Sequence, residues 1–262
     1  MEIHLTRGIK DIITEFPTVA GILDEYGIGC GPCDVGICQL KDVVKLHRLP
    51  DGREREMMDR IEKTIYPDRE IRIEEETAPS APQPEAIKYS PPIRKLVDEH
   101  VLIKRWIALI PRVIAHLDLE SETGRQLVLD GVDLIRSFAD RVHHGKEEDI
   151  LFKYFDETGD IFKVMHEDHK AGRGHVKAIL SALEESDRDA VAAHLEAYRA
   201  LLTGHIKKED EILFPWIDNQ LETAQVGELF RRFNEADERI GVSTEKYETF
   251  VRGLEKRFKS EV

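Results

Sequence analysis

A ten-residue stretch occurs twice in this chain, as His143-His144-Gly145-Lys146-Glu147-Glu148-Asp149-Ile150-Leu151-Phe152 and as His205-Ile206-Lys207-Lys208-Glu209-Asp210-Glu211-Ile212-Leu213-Phe214. Each copy carries His-x-x-x-Glu. On an α-helix four positions make about one turn, so imidazole and carboxylate share a face roughly 6 Å apart, which is metal-ligand spacing. One such pair is commonly a solvated surface pair. Two copies constrain the fold, because two facing helices deliver two imidazoles and two carboxylates to one point in a bundle core.

The pattern around the repeat is helical throughout. Long helices are expected at 92–117, 121–156, 160–185 and 187–220, divided by Asp118/Ser121, Thr158-Gly159-Asp160 and Ser186-Asp187, where short polar side chains end one helix and cap the next. Short connections between long helices favour antiparallel neighbours, so the expected fold is all-α, an up-down-up-down four-helix bundle over 92–220. A helical extension over 221–262 should break near Gly241. Residues 1–66 read as a small helical unit: Thr6 caps a helix to Phe16, Pro17 starts a second that Gly27 ends, and 39–47 and 53–66 form two more. Between the units, residues 67–91 are rich in proline and acid and read as an exposed linker.

The first and third bundle helices each hold a histidine preceded by two acids, Asp98-Glu99-His100 and Glu167-Asp168-His169. Of eleven histidines, four thus fall into an internal pseudo-twofold: His100, His143 and Glu147 in one half, His169, His205 and Glu209 in the other. Carboxylates and imidazoles gathered in a low-dielectric core are unfavourable unless a cation neutralises them. Imidazole with carboxylate suits iron, manganese or zinc, and bundle sites of this composition are typically di-iron.

In this order of ligands, residues 92–220 resemble a hemerythrin-like (HHE cation-binding) domain. The resemblance implies two iron ions, or manganese or zinc in their place, with Glu147 and Glu209 bridging, His100 and His143 on one ion and His169 and His205 on the other. Oxygen-carrying members have a second histidine four residues from the one on the third helix, where this chain has Met165 and Arg173. That departure implies open coordination on both metals and is more similar to the iron-repair and iron-sensing branches; His166 is the nearest substitute.

The remaining polar residues have simpler readings. His144 follows a ligand and should face about 100° away from it, as a supporting or surface group. His116 and His175 read as solvent-facing. His194 and Tyr198 share a stripe with His205, either lining an access route or forming a satisfied polar pair. Glu148, Asp149, Asp210 and Glu211 read as a solvated face, and Leu151, Leu213 and Trp216 as core.

Three cysteines, Cys30, Cys33 and Cys38, cluster on a glycine-rich turn. An odd clustered set does not suit a disulfide framework. Cys30 and Cys33 form a Cys-x-x-Cys that reads as a redox dithiol, a metal or iron–sulfur site, or inert packing. The segment from Gly8 through Pro17 to Cys30 resembles the N-terminal cysteine domain of the iron-centre repair proteins.

A net charge of −14 with 34% charged residues argues against nucleic acid and anionic membranes as main partners. No leader or spanning segment is legible, so the cytoplasm is expected. The combined reading is a di-iron protein handling O2, NO or peroxide, or iron itself, in oxidative or nitrosative stress or iron–sulfur repair, with an iron–sulfur client or a second copy as partner. The alternative is a sensor or storage module without turnover.

Overall fold

The computed structural model describes His4, residues 7–26, Ile28, residues 39–40, 51–67 and 88–259. Regular structure among these residues is helical, apart from an isolated antiparallel bridge between Gly8 and Gln39. Two compact units divide the chain, Met1–Lys88 with Gly159–Ile161, and Tyr89–Thr158 with Phe162–Val262.

In the first unit α1 (Ile9–Glu15), α2 (Thr18–Glu25) and α3 (Asp51–Ile65) bury one apolar stripe each, with Ile9 and Ile12, Val19 and Leu23, and Met57 and Ile61 inside. Gly8 stands at the N-cap of α1, and Pro17 at that of α2 with φ −56°, near the value its ring fixes. Thr6, Gly27, most of the helix expected over 39–47, all three cysteines and residues 68–87 lie outside the described residues.

The second unit is the helical bundle. Its first helix, α4 (Pro91–Ala115), opens with two prolines that lose nothing by lacking N–H groups in a first turn. The second, α5 (Glu122–Asp133), is capped by Ser121, whose hydroxyl accepts from the Gly124 amide. The third is α6 (Asp160–Glu184), and the fourth is α7 (Arg188–Lys208), where the Asp187 carboxylate accepts from the Ala190 amide. End contacts give the directions. Arg188 donates to the Leu117 carbonyl at 3.0 Å and Arg125 to that of Leu183 at 2.8 Å, so the end of α4 meets the start of α7 and the start of α5 meets the end of α6. Up-down-up-down order follows. Gly131 lets α4 and α5 close, since a Cβ there would stand 2.5 Å from the Trp106 ring.

Two of the four helices change their winding where the repeated stretch lies. After Asp133 the second helix continues in π-helical turns over Leu134–His144 and Glu147–Leu151 and ends in a 3-10 turn, Phe152–Tyr154. The fourth winds as π-helix over Glu209–Leu213 before α8 (Phe214–Gln220), in which Pro215 has no amide to return to the preceding turn.

Two further helices close the chain. A capping box of Glu222 and Gln225 starts α9 (Thr223–Ile240), and Gly241 ends it at φ +62°, a left-handed conformation that glycine adopts without strain. The break expected there separates α9 from α10 (Thr244–Lys259). Arg105 of α4 holds α10 through Glu248 at 2.7 Å and Glu255 at 2.9 Å. No helix among the described residues is long and apolar enough to cross a membrane.

Candidate metal centre

The six residues singled out by spacing meet in one buried cluster. His100, His143, His169 and His205 are at most 2% exposed, and Glu147 and Glu209 are fully buried. The imidazoles form two pairs, His100 Nε2 to His143 Nε2 at 2.9 Å and His169 Nε2 to His205 Nε2 at 3.0 Å. The two carboxylates lie across both pairs. Glu209 presents Oε2 to His100 at 3.2 Å and Oε1 to His205 at 3.1 Å; Glu147 presents Oε1 to His143 at 3.6 Å and Oε2 to His169 at 3.5 Å.

Each imidazole is aimed by an acid behind it. Ionised carboxylates only accept, so each ring donates from Nδ1 and turns its Nε2 lone pair inward. His143 donates to Glu99 at 2.9 Å and His205 to Asp168 at 3.3 Å. His100 donates to Asp210 at 2.7 Å and His169 to Glu148 at 2.6 Å. A layer of cations lies outside the acids: Lys146 on Glu99, Lys208 on Asp168 at 2.7 Å, Lys104 on Asp210, and Arg173 on Glu148 at 2.7 Å. The phenylalanines that end the repeated stretch stack on rings from the other half, Phe214 on His100 and Phe152 on His169.

Glu148 and Asp210 therefore correct the reading of a solvated acidic face. Asp149 and Glu211 are exposed as that face requires, but their neighbours are half-buried against imidazoles. The signal was present, because an acid follows the glutamate in both copies. Glu99 and Asp168 likewise occupy matched positions.

His144 is the larger correction. Its side chain was expected to face away from the centre, yet the residue is 5% exposed and its ring stacks on His169 with centroids 3.9 Å apart. The cause is the π-helical winding, whose i→i+5 turns are wider than those of an α-helix, so consecutive side chains His143 and His144 both reach the interior. Ligand atoms of His144, Glu147, His169 and His205 lie within 4.8 Å of one another, as do those of His100, His143 and Glu209. The position matching His144 in the second copy is Ile206, so the third imidazole belongs to one half alone.

The other candidates are placed elsewhere. His166 meets Glu157 at 3.2 Å and stays outside the cluster. His194 pairs with His175 across the surface at 3.3 Å, which corrects the wholly solvent-facing reading of His175. Tyr198 is buried with no hydrogen-bond partner for its hydroxyl, so the polar pair with His194 does not form. Trp216 is half-buried beside Phe155 rather than in the core.

Protonation follows burial and charge. Burial, reinforced by the charge on His100, pushes His143 well below the ordinary histidine range; burial and the His169 charge do the same to His144. His205 goes the other way: against the cost of burial, Glu209 and Asp168 lift it to about 9. Burial and the neighbouring Glu209 push Glu147 well up, whereas His205 and His100 hold Glu209 down in spite of its burial. All four oxygens of Glu147 and Glu209 are buried without a hydrogen-bond donor, and converging imidazole lone pairs with orphaned carboxylate oxygens suit a divalent transition-metal cation.

Residues 91–217 match the family model of the hemerythrin HHE cation binding domain. Curated relatives are uncharacterized proteins of Mycobacterium bovis and Mycobacterium tuberculosis, each 23% identical over 153 residues, 55% of this chain and 60% of the relative. The chain thus spans about 60% of the length of those relatives. No solved structure matches it.

Proposed function

With a hemerythrin-type cation-binding domain at residues 91–217, we propose that the protein is a non-haem di-iron protein that handles O2, NO or peroxide. One observation carries this reading: each of two buried, donor-less carboxylates offers one oxygen to each imidazole pair, the arrangement a shared bridge requires. His100 and His143 would hold one ion, His144, His169 and His205 the other, and Glu147 and Glu209 both. Two iron ions would supply electrons to a small bound ligand. The chain orients its imidazoles through Glu99, Asp168, Glu148 and Asp210, and Phe152 and Phe214 keep water from the rings they cover. Cys30 and Cys33 are proposed as a thiol couple that gives two electrons to the centre as it closes to a disulfide.

Metal analysis of protein produced with iron tests the reading. About two equivalents per chain are expected, with at least one lost in Glu147→Ala and in Glu209→Ala. One equivalent, unchanged by either substitution, would remove the shared bridge.

A sensor without turnover is the second reading, favoured by Lys146. This fully buried amine joins Glu99, which aims His143, to Asp237 of α9 at 2.9 Å, a route by which occupancy of the centre would reach the C-terminal helices.

A further inference from the structure

Beside the centre lies a cavity of about 340 Å³, with His144 and His169 on its inner wall. This space is far larger than O2, NO or hydrogen peroxide needs, given that a water molecule occupies about 30 Å³ in the liquid. It falls at the small end of the range typical of organic-ligand pockets, roughly 300–1,000 Å³. Its sides are apolar, formed by Ile135, Val176 and Leu180.

The rim has the opposite character to the rest of the molecule. In a chain of net charge −14, Arg136 and Lys177 stand exposed at the cavity with no ion pair among the described residues. The third cation there, Arg173, is already neutralised by Asp140 at 2.8 Å and Glu148 at 2.7 Å. Two uncompensated positive charges over apolar walls attract an anion with an apolar body. The inner wall also has an unmet polar group. The Tyr198 hydroxyl is buried without a partner, and burial raises its pKa so that it stays a neutral donor. His144 Nδ1, also on this wall, faces the Asp140 carboxylate at 3.5 Å.

We propose that this cavity binds an organic monocarboxylate, its carboxylate between Arg136 and Lys177, its aliphatic body against Ile135, Val176 and Leu180, and a hydrogen-bond acceptor at its far end on the Tyr198 hydroxyl. The site goes beyond the di-iron reading. It is built by the chain alone and puts the far end of the ligand next to His144 and His169.

Calorimetric titration of the full chain with octanoate, 8-hydroxyoctanoate and 1-octanol tests it, on iron-loaded and on chelated protein, so that failure of the metal reading does not decide the result. Octanoate should saturate one site per chain and bind at least ten-fold more tightly than 1-octanol. Arg136→Glu with Lys177→Glu, both on the exposed rim, should weaken octanoate at least ten-fold without loss of helical content. 8-Hydroxyoctanoate should exceed octanoate several-fold, an advantage that Tyr198→Phe abolishes while octanoate binding persists. Equal affinity for octanoate and 1-octanol, no saturable octanoate binding, or full binding in the charge-reversed variant would each overturn the monocarboxylate site. A hydroxyl advantage that survives Tyr198→Phe would overturn the assigned orientation.

Discussion

The two halves of the bundle have the same inner construction and different surroundings. Glu99, His100, Lys104, His143, Lys146, Glu147 and Glu148 find their counterparts in Asp168, His169, Arg173, His205, Lys208, Glu209 and Asp210, down to which acid aims which ring. The differences lie one layer out. Lys146 has a 0% exposed side chain and reaches a second acid on α9, whereas Lys208 is 25% exposed and holds Asp168. The half around His169 gains His144 and the cavity with its cationic rim. The repeat keeps the inner pattern in both halves, and the specialised features arise where matched positions differ.

The lysines offer the sharpest test of that contrast. Lys146→Met removes the buried amine between Glu99 and Asp237, leaving Glu99 to His143 at 2.9 Å and Asp237 to Lys95 at 2.6 Å, at a cost of ~3 kcal/mol. Thermal unfolding should fall by roughly 10 °C. Lys208→Met removes a partly exposed pair worth ~0–1 kcal/mol and should move the midpoint by only about 2 °C. Equal losses would mean that the C-terminal helix does not distinguish the halves.

His144 tests the second asymmetry. His144→Leu should weaken one of two metal equivalents by about ten-fold in a chelator competition and leave the other unchanged. If both equivalents weaken together, or neither does, His144 supports the fold rather than one ion.

The smallest expected effect should appear in both halves. Burial opposes it, but hydrogen bonds from His169 and Arg173 bring Glu148 to about 2, against 4.5 for a free glutamate. Its folded pKa lies below the unfolded one, so the stability it contributes is complete above pH 4.5 and is lost as pH falls towards 2. Asp210 is held down in the same way by His100 and Lys104, again against the cost of burial. In chelated protein, Arg173→Gln and Lys104→Gln should each lower neutral stability by less than ~1 kcal/mol, since both cations are about half exposed, and flatten the acid limb of a denaturation series. A large effect from one alone would reveal a deeper difference between the halves.

The helical class, the antiparallel order and the six clustered side chains were legible because they depend on period and spacing. Apolar residues at helical intervals, short polar breaks and a repeated His-x-x-x-Glu act within one or two turns, where sequence distance and spatial distance agree. The inward turn of His144 was not legible, since α-helical geometry places consecutive residues on different faces and only the π-helical winding brings both in. The roles of Glu148 and Asp210 depended on which helix stood opposite, for an acid on a helix surface is solvated until a neighbour's imidazole covers it. Lys146 needed Asp237 of α9, 91 residues away, to close its burial, and the cavity needed the π-helical turns after α5, together with α6 and α7, to leave space between them. Local chemistry was written in the chain; the partners each group would meet were decided by packing, because burial and charge compensation depend on what arrives from the far side.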